Sequence, residues 1–269
     1  MYQDRTPSFS GAFLKHVAII TMLIDHIGYG IVGRYIIPLY GEPYEDIYVL
    51  LREVGRLAFP IFCFLIIEGA RHTSNRAGYL MNLSIFALVS EIPFDLLYRE
   101  VLFYPDHQNV FFTLALGLSA IYICDIIKDS CHRKDLSKTS ESLFLLLGLI
   151  PFLIVAFILR SDYGATGVLL IFLIWVFRGN YRIMMIAGVL TLTVINTAES
   201  ALIGLFDTGM FPPLNGLLQK LSSELASIIS FSLISMYNGK RGRQLPKYIY
   251  YAFYPAHLAA IYALGRLIF

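Results

Sequence analysis

Residues 13–33 read FLKHVAIITMLIDHIGYGIVG, an apolar run from Phe13 to Gly33 with Asp25 and His26 inside it. A run of this length crosses a bilayer as a helix. At about 1.5 Å per residue, Asp25 and His26 fall about 20 Å along it, below the surface and past the middle. Charge at that depth is costly unless it is paired or faces water, which makes the pair a functional-site hypothesis by default. The rest of the chain reads as a box of helices around it.

The composition supports that reading. Of 269 residues, 57% are hydrophobic and 15% charged, whereas soluble domains carry about 45–50% apolar and about 25% charged residues. The apolar residues fall in blocks separated by short polar loops, the pattern of a polytopic membrane protein with a single embedded domain over 1–269. The three cysteines, Cys63, Cys124 and Cys131, show neither CxxC nor metal spacing, so no zinc site or disulfide framework is expected. Residues Met1 to Ala12 lack the basic region and cleavage site of a signal peptide, so the first helix is expected to stay. Nothing points to a nucleic-acid partner.

Nine spans are predicted, at about 13–33, 50–71, 77–98, 110–127, 143–160, 164–178, 182–206, 216–237 and 248–269. The expected fold is thus an all-α membrane bundle. The fifth and sixth spans meet at a tight turn, Asp162-Tyr163-Gly164. The seventh and eighth carry Asn196, Glu199, Lys220 and Glu224 and are expected to face the bundle interior. With the N-terminus in the cytoplasm, the inside segments hold fourteen basic residues (Arg5, Lys15, Arg71, Arg76, Lys128, Arg133, Lys134, Lys138, Arg178, Arg182, Lys240, Arg241, Arg243 and Lys247), and the outside loops hold three, Arg34, Arg99 and Arg160. That positive-inside bias predicts N-in, C-out, and it requires an odd count. No internal repeat is evident, unlike many secondary transporters. Pro60, Pro93, Pro151 and Pro255 fall within spans, where proline kinks a helix or frees a carbonyl.

This topology places a layer of polar groups on the outer side: Asp25, His26, Arg52, Glu53, Arg56, Glu91, Asp95, Gln108, Asn109, Thr113, Asn196, Glu199, Lys220 and Glu224, with His257 at its border. Glu68 lies apart, near the cytoplasmic end. Helix-to-helix pairing accounts for any one of these groups, but the collection exceeds what association needs. His16 is expected at the interface, His107 and His132 in solvated loops, and the tyrosines and Trp175 in interfacial belts.

The motifs through this layer resemble the TraX family, named for a conjugative-plasmid protein associated with acetylation of pilin. The matching stretches are Leu14-Lys15-His16-Val17-Ala18 leading to Ile24-Asp25-His26-Ile27-Gly28; Gly55-Arg56-Leu57-Ala58-Phe59-Pro60-Ile61-Phe62 running to Glu68-Gly69; His72-Thr73 with Asn75-Arg76; Ser90-Glu91-Ile92-Pro93-Phe94-Asp95; Gln108-Asn109-Val110-Phe111-Phe112-Thr113; Asp162-Tyr163-Gly164; Tyr237-Asn238-Gly239-Lys240-Arg241-Gly242; and Phe253-Tyr254-Pro255-Ala256-His257-Leu258. No one of them is diagnostic, but they stand in the family's order over nearly the whole chain. The resemblance implies an integral membrane acyltransferase in a bacterial cytoplasmic membrane. It would move an acetyl group from cytoplasmic acetyl-CoA to an acceptor at the far side, and His26 would match the catalytic histidine of the wider transmembrane acyltransferase group. Residues 99–109 and 207–216 match nothing in that pattern.

Histidine supplies a base near neutral pH. His26 is expected either to deprotonate the acceptor or to carry the acyl group itself. Asp25, about 100° round the helix, is badly placed to orient His26, so Glu91 on another helix is the expected orienting group. Arg56 is expected to pair with Asp25 or to stabilise an oxyanion. Asp95, Asn109, Thr113, Glu199 and His257 line the expected acceptor cavity. Acyl-CoA is polyanionic, and two loops offer cations for it: Arg71, His72 and Arg76 with Glu68 nearby, and Asn238, Lys240, Arg241 and Arg243 with glycines that admit phosphate. No metal is expected, and membrane lipids, acyl-CoA and an unidentified acyl acceptor are the expected partners. A proton-coupled transporter would use the same buried acids and histidines, and a scaffold without chemistry would tolerate losing His26 and Glu91.

Overall fold

The computed structural model describes residues 8–269. Arg5 and the leading residues of the segment read for a signal peptide lie outside the described residues. The described chain is helical throughout, with two isolated bridges, Phe9 to Tyr237 and Gln108 to Ser161. In a bilayer a helix satisfies its own backbone groups, which is why long apolar runs take this form.

Helix α1 runs over Gly11–Tyr40 and widens just after His26, where Gly28–Ile36 carries bonds five residues apart. Then come α2 (Glu45–Gly55), α3 (Ala58–His72), α4 (Arg76–Arg99), α5 (Val110–Arg133), α6 (Lys138–Ile158), α7 (Gly164–Phe177), α8 (Tyr181–Thr208), α9 (Leu214–Ser235) and α10 (Lys247–Ile268). Each predicted span falls largely on helix. Six helices (α1, α4, α5, α6, α8 and α9) are long and apolar enough to cross a membrane. With apolar side chains exposed along them, the chain is a multi-pass membrane protein.

Polar side chains set the helix starts. Ser10, Asn75, Asn109, Ser137 and Asn180 each accept a bond from a first-turn amide of the helix that follows. Pro93, Pro151 and Pro255 are interior, as expected. Pro60 is the third residue of α3, where the missing N–H would have had no helical partner.

Two expectations need correction. The span predicted at 50–71 is two helices, α2 and α3, separated by a turn at Arg56 and Leu57. Helices α8 and α9 are not interior: only 28% of each apolar window is buried, against 50% for α5. Their polar residues form one inward stripe on otherwise lipid-facing rods. Helix α6 is more peripheral still, at 11%.

The core joins α1, α3, α4, α5, α7 and α10 through Leu14, Phe59, Phe64, Phe94, Leu118, Ile171 and Leu258. Helix α10 lies along α4, and α1 along α2 and α3. One end of the bundle gathers the loops at 73–75, 134–137, 178–180 and 236–246, with Arg178 paired to Glu68, Arg76 to Asp125, and the Gly11 amide bonded to the Lys240 carbonyl. This is the end that holds the described basic residues of the predicted inside segments. The chain's last residue lies at the other end, where Phe269 stacks on Tyr35.

Close approach between α8 and α9 depends on Gly188, where an added Cβ would overlap the fully buried Phe231 ring. Gly188→Ala is therefore expected to cost about 1–3 kcal/mol. Thermal unfolding in detergent checks this, with a lower midpoint expected for Gly188→Ala and none for Gly179→Ala, whose added Cβ meets open space.

Candidate active site

His26 is 6% exposed and lies between α4 and α10. Its Nδ1 is 2.7 Å from Nε2 of His257, and Nδ1 of His257 is 2.7 Å from the Phe253 carbonyl oxygen. The carbonyl can only accept, so His257 Nδ1 carries the hydrogen and donates it. In the neutral ring Nε2 is then the acceptor, and His26 Nδ1–H must donate to it. The chain of bonds leaves His26 Nε2 with a free lone pair. A tautomer fixed by a second group is the usual requirement for an imidazole that takes up a proton or attacks an acyl carbon. Tyr254 and Tyr98 set their rings edge-on to His26, at 5.9 and 6.3 Å between centroids.

The orienting group is thus His257 and not Glu91. Glu91 instead accepts bonds from the Asn109 amide, at 2.9 Å, and from the Asn109 side chain, which also donates to the Ala87 carbonyl. These bonds start α5 beside Glu91, about 12 Å short of the end of α4. Residues 100–109 fold back over that gap. Asp95 holds them by accepting the Tyr104 amide at 2.7 Å. His107, expected to be solvated, packs its ring against Phe94 and Tyr98. Burial lowers its pKa from the ordinary imidazole value.

Asp25 pairs with Arg52, at 2.7 Å, and not with Arg56. Gly55 makes room, since a Cβ there would overlap the Asp25 side chain. Arg56 stands at the break between α2 and α3, where it meets Glu224 of α9 at 3.3 Å and the Tyr163 hydroxyl at 3.4 Å. Glu224, 1% exposed, also accepts from Asn196 at 3.1 Å. Arg56 is therefore engaged by α9 rather than by the His26 group, and its oxyanion role has no geometric support.

The residues expected to line an acceptor cavity divide. His257 joins His26. Asn109 and Asp95 fix the returning segment. Thr113 donates to Asp162 O and accepts from Ser161 Oγ, holding the 161–164 turn. Glu199 accepts the Ala165 amide at 2.9 Å and the Thr166 amide at 2.8 Å, so it caps α7 from α8. That capping follows from the turn, where Tyr163 and Gly164 both have positive φ. The fifth and sixth spans are accordingly separate helices.

A cavity of about 780 Å³ opens at the basic end. Its wall includes Gly11, Lys15, Ile19 and Met22, a single stripe of α1 on which His26 is the next residue, one turn deeper. Lys15, His72, Arg241 and Lys247 line the mouth with Glu68, while Phe111 and Tyr254 line the inner part. Glu68 is itself paired with Arg178. Of the residues expected to hold acyl-CoA, His72, Arg241 and Glu68 reach this cavity. Arg71 and Arg76 do not: they face the opposite side of α3, in a recess of about 330 Å³ with Asp125, Lys128 and Trp175. The Asn238 side chain accepts the Lys240 amide and shapes the loop. Lys240 and Arg243 do not line either space. The structure adds Arg52, Tyr98, Lys247 and Tyr254 to the site. Tyr254 had a signal in its spacing, three residues before His257. The described residues hold no group of His, Cys, Asp and Glu able to bind a metal.

Replacing Glu91 tests its structural role. Glu91→Ala leaves the Asn109 backbone amide and one of its two side-chain N–H groups buried without an acceptor, while the other keeps the Ala87 carbonyl, at a cost of about 1–3 kcal/mol for each unsatisfied group. A lower thermal midpoint than wild type is expected, with Glu91→Gln, which keeps a carbonyl, in between.

The comparisons fit the order of these motifs. The chain is 29% identical over 267 residues to the probable fimbrial assembly protein FimC of serogroup H1 from Dichelobacter nodosus, covering 96% of each chain. No solved structure matches. The family model described as TraX protein matches residues 10–265. With nearly its whole length matched, the chain belongs to the TraX family.

Proposed function

We propose that this protein is a membrane acyltransferase that takes an acetyl group from cytoplasmic acetyl-CoA and passes it to an amine or hydroxyl acceptor reached from the other side. The observation that carries the proposal is the cavity along α1, which runs from cations at the basic end toward the His26–His257 pair. Its volume lies within the range of about 300–1,000 Å³ typical of small-molecule sites. The basic end is assigned to the cytoplasm by the positive-inside rule, in a bacterial plasma membrane with nine crossings, N-in and C-out. The phosphates of CoA sit at Lys15, His72, Arg241 and Lys247, and the pantetheine arm fills the cavity. The fimbrial relative supports an acceptor in the pilus pathway.

In direct transfer, His26 Nε2 removes the acceptor's proton as the acceptor attacks the thioester carbonyl. The C–S bond then breaks, and the proton held by His26 goes to the leaving thiolate. In the covalent route, Nε2 attacks the thioester carbonyl first and the C–S bond breaks to release CoA thiolate; the acceptor then attacks the acyl-imidazole, the N–acyl bond breaks, and the acceptor's proton goes to the thiolate. In both, His257 fixes the resting tautomer, in which Nε2 of His26 is unprotonated, so it is a positioning residue.

Purified protein in detergent provides the test, by acetyl-CoA binding and slow hydrolysis. His26→Ala is expected to bind acetyl-CoA and to lose hydrolysis by about 10²-fold or more. His257→Ala is expected to lower kcat by less, with partial recovery in His257→Gln, whose carbonyl can accept from His26. Arg241→Gln is expected to raise KM with kcat little changed. Wild-type protein that is folded but neither binds nor hydrolyses acetyl-CoA would favour a carrier.

A further inference from the structure

The charge along the cavity is uneven. All its charged lining residues (Lys15, Glu68, His72, Arg241 and Lys247) belong to the half nearer the basic end. The inner part is walled by Met22, Phe62, Leu114, Phe111 and Tyr254. Phe111, 8% exposed, stands on the first turn of α5 and meets the Tyr254 ring edge-on at 5.1 Å. Tyr254 meets His26 in the same way. Met22, one turn before His26 on α1, lines the same inner part, so the two rings flank the donor's approach to the histidine.

We infer that Phe111, backed by Tyr254, is the end wall that restricts the donor to a short, uncharged acyl group. This rests on the acyltransferase reading. A thioester carbonyl brought up to His26 places its acyl chain against the two rings. A longer chain must displace an aromatic side chain held by packing on both sides. A chain ending in a carboxylate must desolvate that charge where no cation lines the wall. Phe111 is well placed to be the adjustable part. Its backbone amide is held by Asn109 Oδ1 at 3.0 Å, a bond that survives any change of its side chain.

The test uses the full chain in detergent and measures hydrolysis of acetyl-, butyryl- and succinyl-CoA by wild type, Phe111→Ala and Phe111→Leu. Wild type is expected to prefer acetyl- over butyryl-CoA by about tenfold or more in kcat/KM. The butyryl-to-acetyl ratio is expected to rise by about tenfold or more in Phe111→Ala, and by less in Phe111→Leu. Succinyl-CoA is expected to be a poor donor for all three. A general loss of packing slows every thioester and leaves the ratio unmoved. An unmoved ratio in the folded variants, or a wild type that accepts butyryl- or succinyl-CoA as readily as acetyl-CoA, overturns the assignment. If Phe111→Ala does not fold, Phe111→Leu decides. If wild type hydrolyses none of the three, the acyltransferase reading fails first, and this inference with it.

Discussion

The hydrogen bond between His26 and His257 is the constraint to which the other buried groups answer. It joins α1 to α10 through two rings that together satisfy both facing nitrogens without either carrying a charge. In a low-dielectric interior a neutral pair is far cheaper to bury than a histidine paired with a carboxylate. That explains why the carboxylates nearby are occupied elsewhere. Asp25 answers Arg52, Glu91 answers Asn109, and Glu224 answers Arg56 and Asn196. Each of these three carboxylates accepts a bond from another helix or its cap, and the rings are left to each other.

The same economy shapes the backbone. Residues 100–109 return into the bundle because Asp95 and Glu91 accept their amides, and such a segment is tolerated at depth only where protein covers it. Glu199 does the equivalent service for α7, whose first amides point into the interior. Several acidic residues that look chemical in a list of buried charges therefore serve the chain itself. The proposed chemistry is left with few groups: His26, its partner His257, the aromatic rings beside them and the basic residues at the cavity mouth.

How much of this was legible in the sequence depended on whether the signal was local. The helical character of the chain and the separation of the fifth and sixth spans follow from runs of apolar residues and a turn, which are local. Pairings between helices are not local, and there the reading erred in instructive ways. Pairing of Arg56 with Asp25 is the expectation for an unbroken helix over 50–71. The turn after Gly55 rotates Arg56 away to Glu224 and leaves Arg52 for Asp25. Arg71 and His72 were grouped as neighbours in one loop, yet adjacent residues at a helix end point in different directions, and they open onto different cavities. Polar content suggested an interior position for α8 and α9, where one stripe of polar residues on a lipid-facing helix was the true arrangement.

That the two histidines come from the first and tenth helices has a consequence for synthesis. A ribosome-bound chain that has released nine helices already carries His26, the cavity wall on α1 and the paired Asp25 and Arg52. It lacks the group that fixes the histidine's tautomer, and the edge-on ring of Tyr254 as well. That partner arrives when α10 docks along α4.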